Sequence, residues 1–141
     1  LKRAGVAVVV GTCPDLGTIE PLAPPLKQYA RYQSRRLAEA RLEAVGILPK
    51  TLIAADDVTR GKPDPEPYLL AARELGVDPA RCVVFEDAPA GLRAGRAAGM
   101  TTVALTTTHA SHELDADLVV HDLSALSAPV TPEGVEISSR D

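Results

Sequence analysis

The segments Gly61-Lys62-Pro63-Asp64-Pro65 and Cys82-Val83-Val84-Phe85-Glu86-Asp87 decide how this chain is interpreted. The first places a lysine in a proline-bounded loop, and the second is a short apolar run that ends in two carboxylates. The residues between them can form one helix and one strand. Such a crossover brings the ammonium and the carboxylates to the same edge of a parallel sheet. Open α/β sheets bind their ligands at that edge.

The composition fits one domain with an aliphatic core. The chain has 141 residues, of which 45% are hydrophobic and only 3% aromatic, and this length is enough to bury a core. The formal net charge of −4 argues against a nucleic-acid surface. No apolar run approaches the roughly 20 residues that a bilayer span needs. Cys13 and Cys82 show no metal-type or redox spacing, which favours reduced thiols and a cytoplasmic location.

Apolar runs and helical patterns alternate along the chain, which predicts α/β architecture with a parallel sheet. Asp64 is expected to cap a helix that Gly76 ends. From Pro129 onward the chain is polar, and a flexible tail is expected there. The predicted strands are 6–10, 51–55, 82–85, 102–105 and 118–120, and the predicted helices are 26–45, 65–75 and 90–98.

Three stretches, 57–65, 83–91 and 94–100, together resemble the haloacid dehalogenase-like (HAD) hydrolases. Their order and spacing are most similar to the branch that contains β-phosphoglucomutase and small sugar-phosphate phosphatases. The likeness runs from about residue 37 to residue 126 and corresponds to the C-terminal part of the catalytic core. It implies a three-layer, Rossmann-like core built on a parallel sheet.

The resemblance also implies roles for individual residues. Lys62 matches the family's loop lysine, which pairs with the nucleophilic aspartate and the substrate phosphate, and the bond from Lys62 to Pro63 can be cis as it often is in the family. Asp87 matches the carboxylate that binds Mg²⁺, with Glu86 as a direct or water-mediated ligand. Gly91 matches the close-packed start of the helix that follows.

The aspartate nucleophile of the family has no counterpart in this sequence. No apolar run ends in Asp-x-Asp, and Asp115-Ala116-Asp117 precedes an apolar run instead of following it. We therefore expect a core without the first, nucleophile-bearing strand and without the cap domain. The nucleophile would then lie upstream of Leu1.

A serine or threonine at the end of a hydrophobic strand forms the family's second motif. Thr12, just after the strand predicted at 6–10, is favoured for this phosphate-binding role, while Ser34 or neither residue are the alternatives. The segment 11–33 has no counterpart in the family pattern and is interpreted as an irregular insertion. The predicted domain is therefore a partial HAD-like core over 1–128, followed by a flexible tail over 129–141.

Two other types of site are excluded by the sequence. His109, His112 and His121 lie near one another, but no cysteine or carboxylate pattern completes a zinc set, so solvated loop histidines are expected. Gly61-Lys62 is not a nucleotide-binding P-loop, because Pro63 replaces the serine or threonine that such a loop needs.

Two functions from different classes remain. The first is a Mg²⁺-dependent phosphatase that hydrolyses a phosphoric monoester of a small metabolite, such as a sugar phosphate, through an aspartyl-phosphate whose nucleophile is not in this chain. The alternative is a catalytically inactive fragment, or a non-enzymatic module that binds Mg²⁺ or phosphate. A sheet without its first strand would expose a strand edge, so self-association is also expected. Neither nucleic acid nor a membrane is an expected partner.

Overall fold

The computed structural model describes residues 9–10, 51–132 and 134–140. Its centre is a four-stranded sheet in the order β1-β2-β3-β4, in which each neighbouring pair is parallel. This small parallel sheet confirms the predicted α/β class. The strands are β1 (Val9–Val10), β2 (Val83–Glu86), β3 (Thr101–Leu105) and β4 (Leu118–Val120).

In the described part of the chain, two helices accompany the sheet, α1 (Glu66–Leu75) and α2 (Pro89–Ala97). Asp64 Oδ1 accepts a hydrogen bond from the Glu66 N–H at 3.0 Å and so satisfies a backbone donor at the start of α1. Gly76 ends α1 with φ +67°, a left-handed conformation that glycine adopts without steric cost. Both predicted end signals of α1 are therefore confirmed.

The core between helices and sheet is made of small and aliphatic side chains. The main cluster joins α1, β2 and α2 and contains Tyr68, Ala72, Cys82, Val84, Ala94, Ala98 and Met100. A second cluster contains Leu92, Ala104 and Leu114. Cys82 is a buried free thiol, and burial, followed by the charge of Asp78, raises its pKa. The other helical layer of the predicted three-layer core is not among the described residues.

The strand predicted at 51–55 is wrong. Residues 51–54 form no strand, and Ala55–Asp57 form one turn of 3-10 helix. The Ala54 N–H donates to Asp57 Oδ2 at 2.7 Å, and the Asp57 N–H donates to the Ala54 carbonyl at 3.1 Å. The backbone N–H and C=O groups of a strand form hydrogen bonds with a neighbouring strand. Here the Asp57 side chain and the turn itself supply hydrogen-bond partners locally.

The tail predicted from Pro129 contains paired backbone. β5 (Leu126–Ser127) pairs antiparallel with β8 (Ser138–Ser139), and β6 (Val130–Thr131) pairs antiparallel with β7 (Gly134–Val135). Each ladder is only two residues long, too short for a periodic sequence pattern. The structure thus shows strands where the sequence predicted none, while the mobility of this segment stays a prediction.

β1 lies beside β2, with Val9 opposite Val84 and Val10 opposite Phe85. The strand predicted at 6–10 is confirmed over these two residues. β1 therefore covers β2 along these two residues, and self-association through an exposed strand edge stays a prediction. The absence of the nucleophile strand and of the cap domain stays a prediction.

Several other predictions lie outside the described residues. They are the helix at 26–45, the insertion at 11–33, and the phosphate-binding candidates Thr12 and Ser34. Within the described ranges, no helix has the length and apolar character needed to cross a membrane.

Candidate active site

Lys62 and Glu86 meet at the carboxyl edge of the sheet, where β2 ends. Lys62 Nζ lies 2.6 Å from Glu86 Oε1, although the two residues are 24 positions apart in sequence. The Lys62 side chain is one-third exposed, whereas that of Glu86 is only 5% exposed. The bond from Lys62 to Pro63 is cis. The crossover proposed from the sequence therefore brings this cation and this carboxylate together, and the lysine side chain stays partly exposed to solvent.

A second donor, Tyr68, shares the same carboxylate oxygen. The Tyr68 hydroxyl donates to Glu86 Oε1 at 2.6 Å from the first turn of α1, and Tyr68 is buried. Burial, then the charge of Glu86 and the hydrogen bond to it, raise the pKa of Tyr68. Tyr68 is consequently a neutral donor at physiological pH. The sequence analysis missed it; its position one helical turn after the lysine loop, in a chain poor in aromatics, was the available signal.

The Glu86 carboxylate lies directly against the backbone of Gly91, in the first turn of α2. A Cβ atom placed on Gly91 would fall 2.5 Å from both carboxylate oxygens of Glu86, so no larger residue fits without displacement. The carboxylate thus lies at the positive end of the α2 dipole, which favours its charge. This contact gives a physical reason for the close-packed glycine that the family resemblance implied.

Asp87 follows Glu86 and contacts the loop after β3. Thr108 Oγ1 donates to the Asp87 carbonyl at 2.9 Å, and His109 Nδ1 lies 2.9 Å from the same carbonyl. Thr107 Oγ1 is 3.4 Å from Asp87 Oδ2. His109 is half-buried, whereas His112 and His121 are exposed. The sequence predicted solvated loop histidines, and His109 is a loop residue that is partly covered by its contact with the Asp87 backbone.

The Asp115-Ala116-Asp117 segment lies at the opposite edge of the sheet and stabilises the fold. Asp117 Oδ2 accepts hydrogen bonds from the Thr102 N–H at 2.7 Å and from Thr102 Oγ1 at 2.8 Å, at the start of β3. These bonds, the backbone one first, lower the pKa of Asp117. Asp115 pairs with Arg96 near the end of α2. Both aspartates are therefore remote from Lys62 and Glu86, which agrees with their rejection as a nucleophile motif.

The carboxylates of Glu86 and Asp87 have the donor chemistry that Mg²⁺ requires. Mg²⁺ prefers oxygen ligands, keeps several waters, and is commonly bound through one or two carboxylates. Among the described residues, no group of three or more histidine, cysteine or acidic side chains could hold a metal. A metal here would therefore rest on Asp87, with water and with Glu86, whose Oε1 already accepts from Lys62 and Tyr68.

Comparison with known proteins decides the family. Residues 32–99 match the family model described as haloacid dehalogenase-like hydrolase. The chain belongs to the haloacid dehalogenase-like hydrolases. The HAD-like resemblance inferred from the three sequence stretches is thereby confirmed, including the branch of sugar-phosphate phosphatases and β-phosphoglucomutase-like proteins.

Several of the curated relatives are phosphatases by name. Validoxylamine A 7'-phosphate phosphatase of Streptomyces hygroscopicus subsp. limoneus is 48% identical over 98 residues, which are 67% of this chain and 46% of the relative. Hexitol phosphatase A of Escherichia coli is 41% identical over 103 residues, 72% of this chain and 48% of the relative. The chain thus spans about half the length of the curated relatives it matches.

A solved structure supports the same fold. β-Phosphoglucomutase from Clostridium difficile aligns with 59% of this chain and 37% of its own chain, at 33% identity and a TM-score of 0.53. The α/β unit with its small parallel sheet therefore corresponds to part of the HAD-like core.

Proposed function

We propose that this chain carries the lysine and carboxylate part of the active site of a Mg²⁺-dependent phosphatase. Its substrate would be a phosphoric monoester of a small metabolite, such as a sugar phosphate. The observation that carries the proposal is the 2.6 Å contact of Lys62 Nζ with Glu86, directly beside Asp87 at the carboxyl edge of the sheet. The names of the relatives support the substrate class.

Lys62 is proposed as the residue that stabilises phosphate charge. An ammonium has three N–H donors, and the contact with Glu86 uses one of them. Because the side chain is one-third exposed, the remaining donors can reach phosphate oxygens that enter from solvent. Donors that are already oriented towards developing negative charge contribute most to transition-state stabilisation. Glu86 would thus orient Lys62 before a substrate arrives.

Asp87 is proposed as the main protein ligand of Mg²⁺, with Glu86 as a direct or water-mediated one. Phosphatases of this family generally use Mg²⁺. When bound, the ion neutralises phosphate charge and helps to orient the phosphoryl group. The Asp87 carboxylate has one weak contact from Thr107 among the described residues, so its oxygens remain able to accept a cation.

Thr12, which lies outside the described residues, stays the proposed phosphate-binding residue. β1 runs parallel to β2, so its carboxyl end lies at the same edge of the sheet as Glu86. Thr12 follows Val10 by two positions in the sequence. A hydroxyl there would add a neutral donor to the charge of Lys62.

The nucleophile is proposed to be an aspartate that is not among these 141 residues. Its carboxylate would attack phosphorus, the substrate alcohol would leave with a proton, and water would then cleave the aspartyl-phosphate. The absence of the nucleophile strand and of the cap, a cytoplasmic location and self-association belong to the same proposal. A reading frame that continues upstream of Leu1 through an apolar strand ending in Asp-x-Asp-Gly would favour the enzyme.

The second candidate function is a non-enzymatic module that binds Mg²⁺ or phosphate. One observation favours it: the Asp-x-Asp of this sequence is engaged with Thr102 and Arg96 at the opposite edge of the sheet. These 141 residues by themselves would then bind without turning over a substrate.

Turnover by the isolated chain tests the point that both candidate functions share, namely that the nucleophile is not among these 141 residues. With p-nitrophenyl phosphate and Mg²⁺, we expect no hydrolysis above the buffer rate, because the proposed nucleophile is not among these 141 residues. Release of p-nitrophenolate is followed by its absorbance, with and without chelator. Hydrolysis that needs Mg²⁺ and disappears in Asp87→Asn would show that the nucleophile lies within the chain, contrary to the proposal.

A further inference from the structure

We propose that His109 is a positioning residue for Asp87. Its Nδ1–H donates to the Asp87 carbonyl and, with Thr108, fixes the turn that presents the Asp87 carboxylate. The inference rests on the Mg²⁺-binding role proposed for Asp87 and adds a residue from a different loop to that site.

The hydrogen-bond chemistry fixes which nitrogen of His109 carries the proton. A backbone carbonyl can only accept, so Nδ1, at 2.9 Å from the Asp87 oxygen, has to be the donor. Thr108 Oγ1 lies 2.9 Å from the same carbonyl and also 2.9 Å from Nδ1. The Thr108 hydroxyl donates to the carbonyl, and its lone pairs face the imidazole N–H. Neutral His109 is consequently the Nδ1–H tautomer, with Nε2 unprotonated.

The two donors control the direction of the Asp87 side chain. A carbonyl oxygen has two lone pairs, and here the loop after β3 supplies a donor for each of them. Only Asp87 and Ala88 connect β2 to α2. Because this turn is so short, holding the carbonyl also holds the Cα–Cβ direction of Asp87. The half-buried imidazole therefore acts on the carboxylate through the backbone and need not touch a metal.

The tautomer of His109 tests this contact without any metal. At about pH 8, where histidine is largely neutral, long-range ¹H–¹⁵N spectra report which ring nitrogen is protonated. We expect the Nδ1–H form for His109, while exposed His112 serves as the internal reference and shows the Nε2–H form that predominates in water. A His109 spectrum equal to that of His112 would overturn the inference.

Mg²⁺ affinity tests the positioning role itself. An asparagine amide nitrogen occupies the place of Nδ1, whereas that of glutamine occupies the place of Nε2. By isothermal titration calorimetry we expect His109→Ala and His109→Gln to bind Mg²⁺ about tenfold more weakly than wild type, as for other partners behind a metal ligand. His109→Asn, which keeps the donor, and His112→Ala, the matched control, should bind like wild type. Circular dichroism confirms that each variant is folded.

The outcomes separate the inference from the proposed function. Equal Mg²⁺ affinities of wild type and His109→Ala, or an equal loss in His109→Asn and His109→Ala, would overturn the role of His109 alone. Absence of Mg²⁺ binding by wild-type protein, together with the Nδ1–H tautomer, would overturn the metal role of Asp87 and reduce His109 to a structural contact.

Discussion

Replacing Lys62 by methionine is expected to lower the free energy of unfolding by about 3 kcal/mol, because it leaves the Glu86 carboxylate buried without its cation. Methionine keeps most of the aliphatic stem, so the loss is chiefly electrostatic. The remaining Tyr68 hydrogen bond offsets only part of the cost of burying the charge. Urea unfolding followed by circular dichroism measures the change.

Two variants identify the origin of this loss. Arg73→Met removes a cation whose partner, Glu74, is 3.6 Å away on the surface, and we expect at most about 0.5 kcal/mol there. Adding Glu86→Gln to Lys62→Met removes the buried charge and should restore most of the stability. If the double variant is as unstable as Lys62→Met alone, the loss does not come from an uncompensated Glu86.

Replacing Gly91 by alanine is expected to lower the free energy of unfolding by about 3 kcal/mol, even though alanine favours helix formation. The new methyl group would occupy the space of the Glu86 carboxylate, 2.5 Å from both oxygens. Glu86 would have to move away from Lys62 and Tyr68 and would leave buried polar groups unpaired. Chemical denaturation of the variant gives the value.

The background of the substitution decides whether this explanation holds. In a Glu86→Ala protein the carboxylate is gone, so Gly91→Ala should be neutral or stabilise the helix by up to about 1 kcal/mol. The difference between the two backgrounds is the energy of the steric conflict. A similar loss in both would place the conflict elsewhere than at Glu86.

The elements that the sequence predicted well carry local signals. α1 is bounded by the capping Asp64 and the left-handed Gly76, both of which act within one turn of the helix. β4 was predicted with its observed bounds because three apolar residues stand between polar ones. The segment 51–55 is similarly apolar, but it has no neighbouring strand among the described residues. An apolar run without alternation does not indicate whether another strand will pair with it.

In the candidate site, too, some features could be predicted from the sequence and others could not. The meeting of Lys62 and Glu86 followed from one crossover between a loop and a strand end, a feature of topology that the sequence pattern determines. Tyr68 and His109 were missed because their roles depend on tertiary contacts with Glu86 and Asp87. A tyrosine on an apolar helix face and a histidine in a polar loop are each common in ordinary structure, so residue type alone does not mark them.

The most direct test of the central claim, that Lys62 and Asp87 belong to one Mg²⁺ and phosphate site, is amide chemical-shift mapping of the 141-residue chain. We expect Mg²⁺ to shift the resonances of 86–88, 90–91 and 107–109 with saturation, and inorganic phosphate, added next, to shift those of Gly61 and Lys62. Asp87→Asn, which keeps the side-chain shape but not the charge, should lose both responses. Saturable shifts that persist in Asp87→Asn, or shifts confined to the acidic surface around 113–117, would contradict the account.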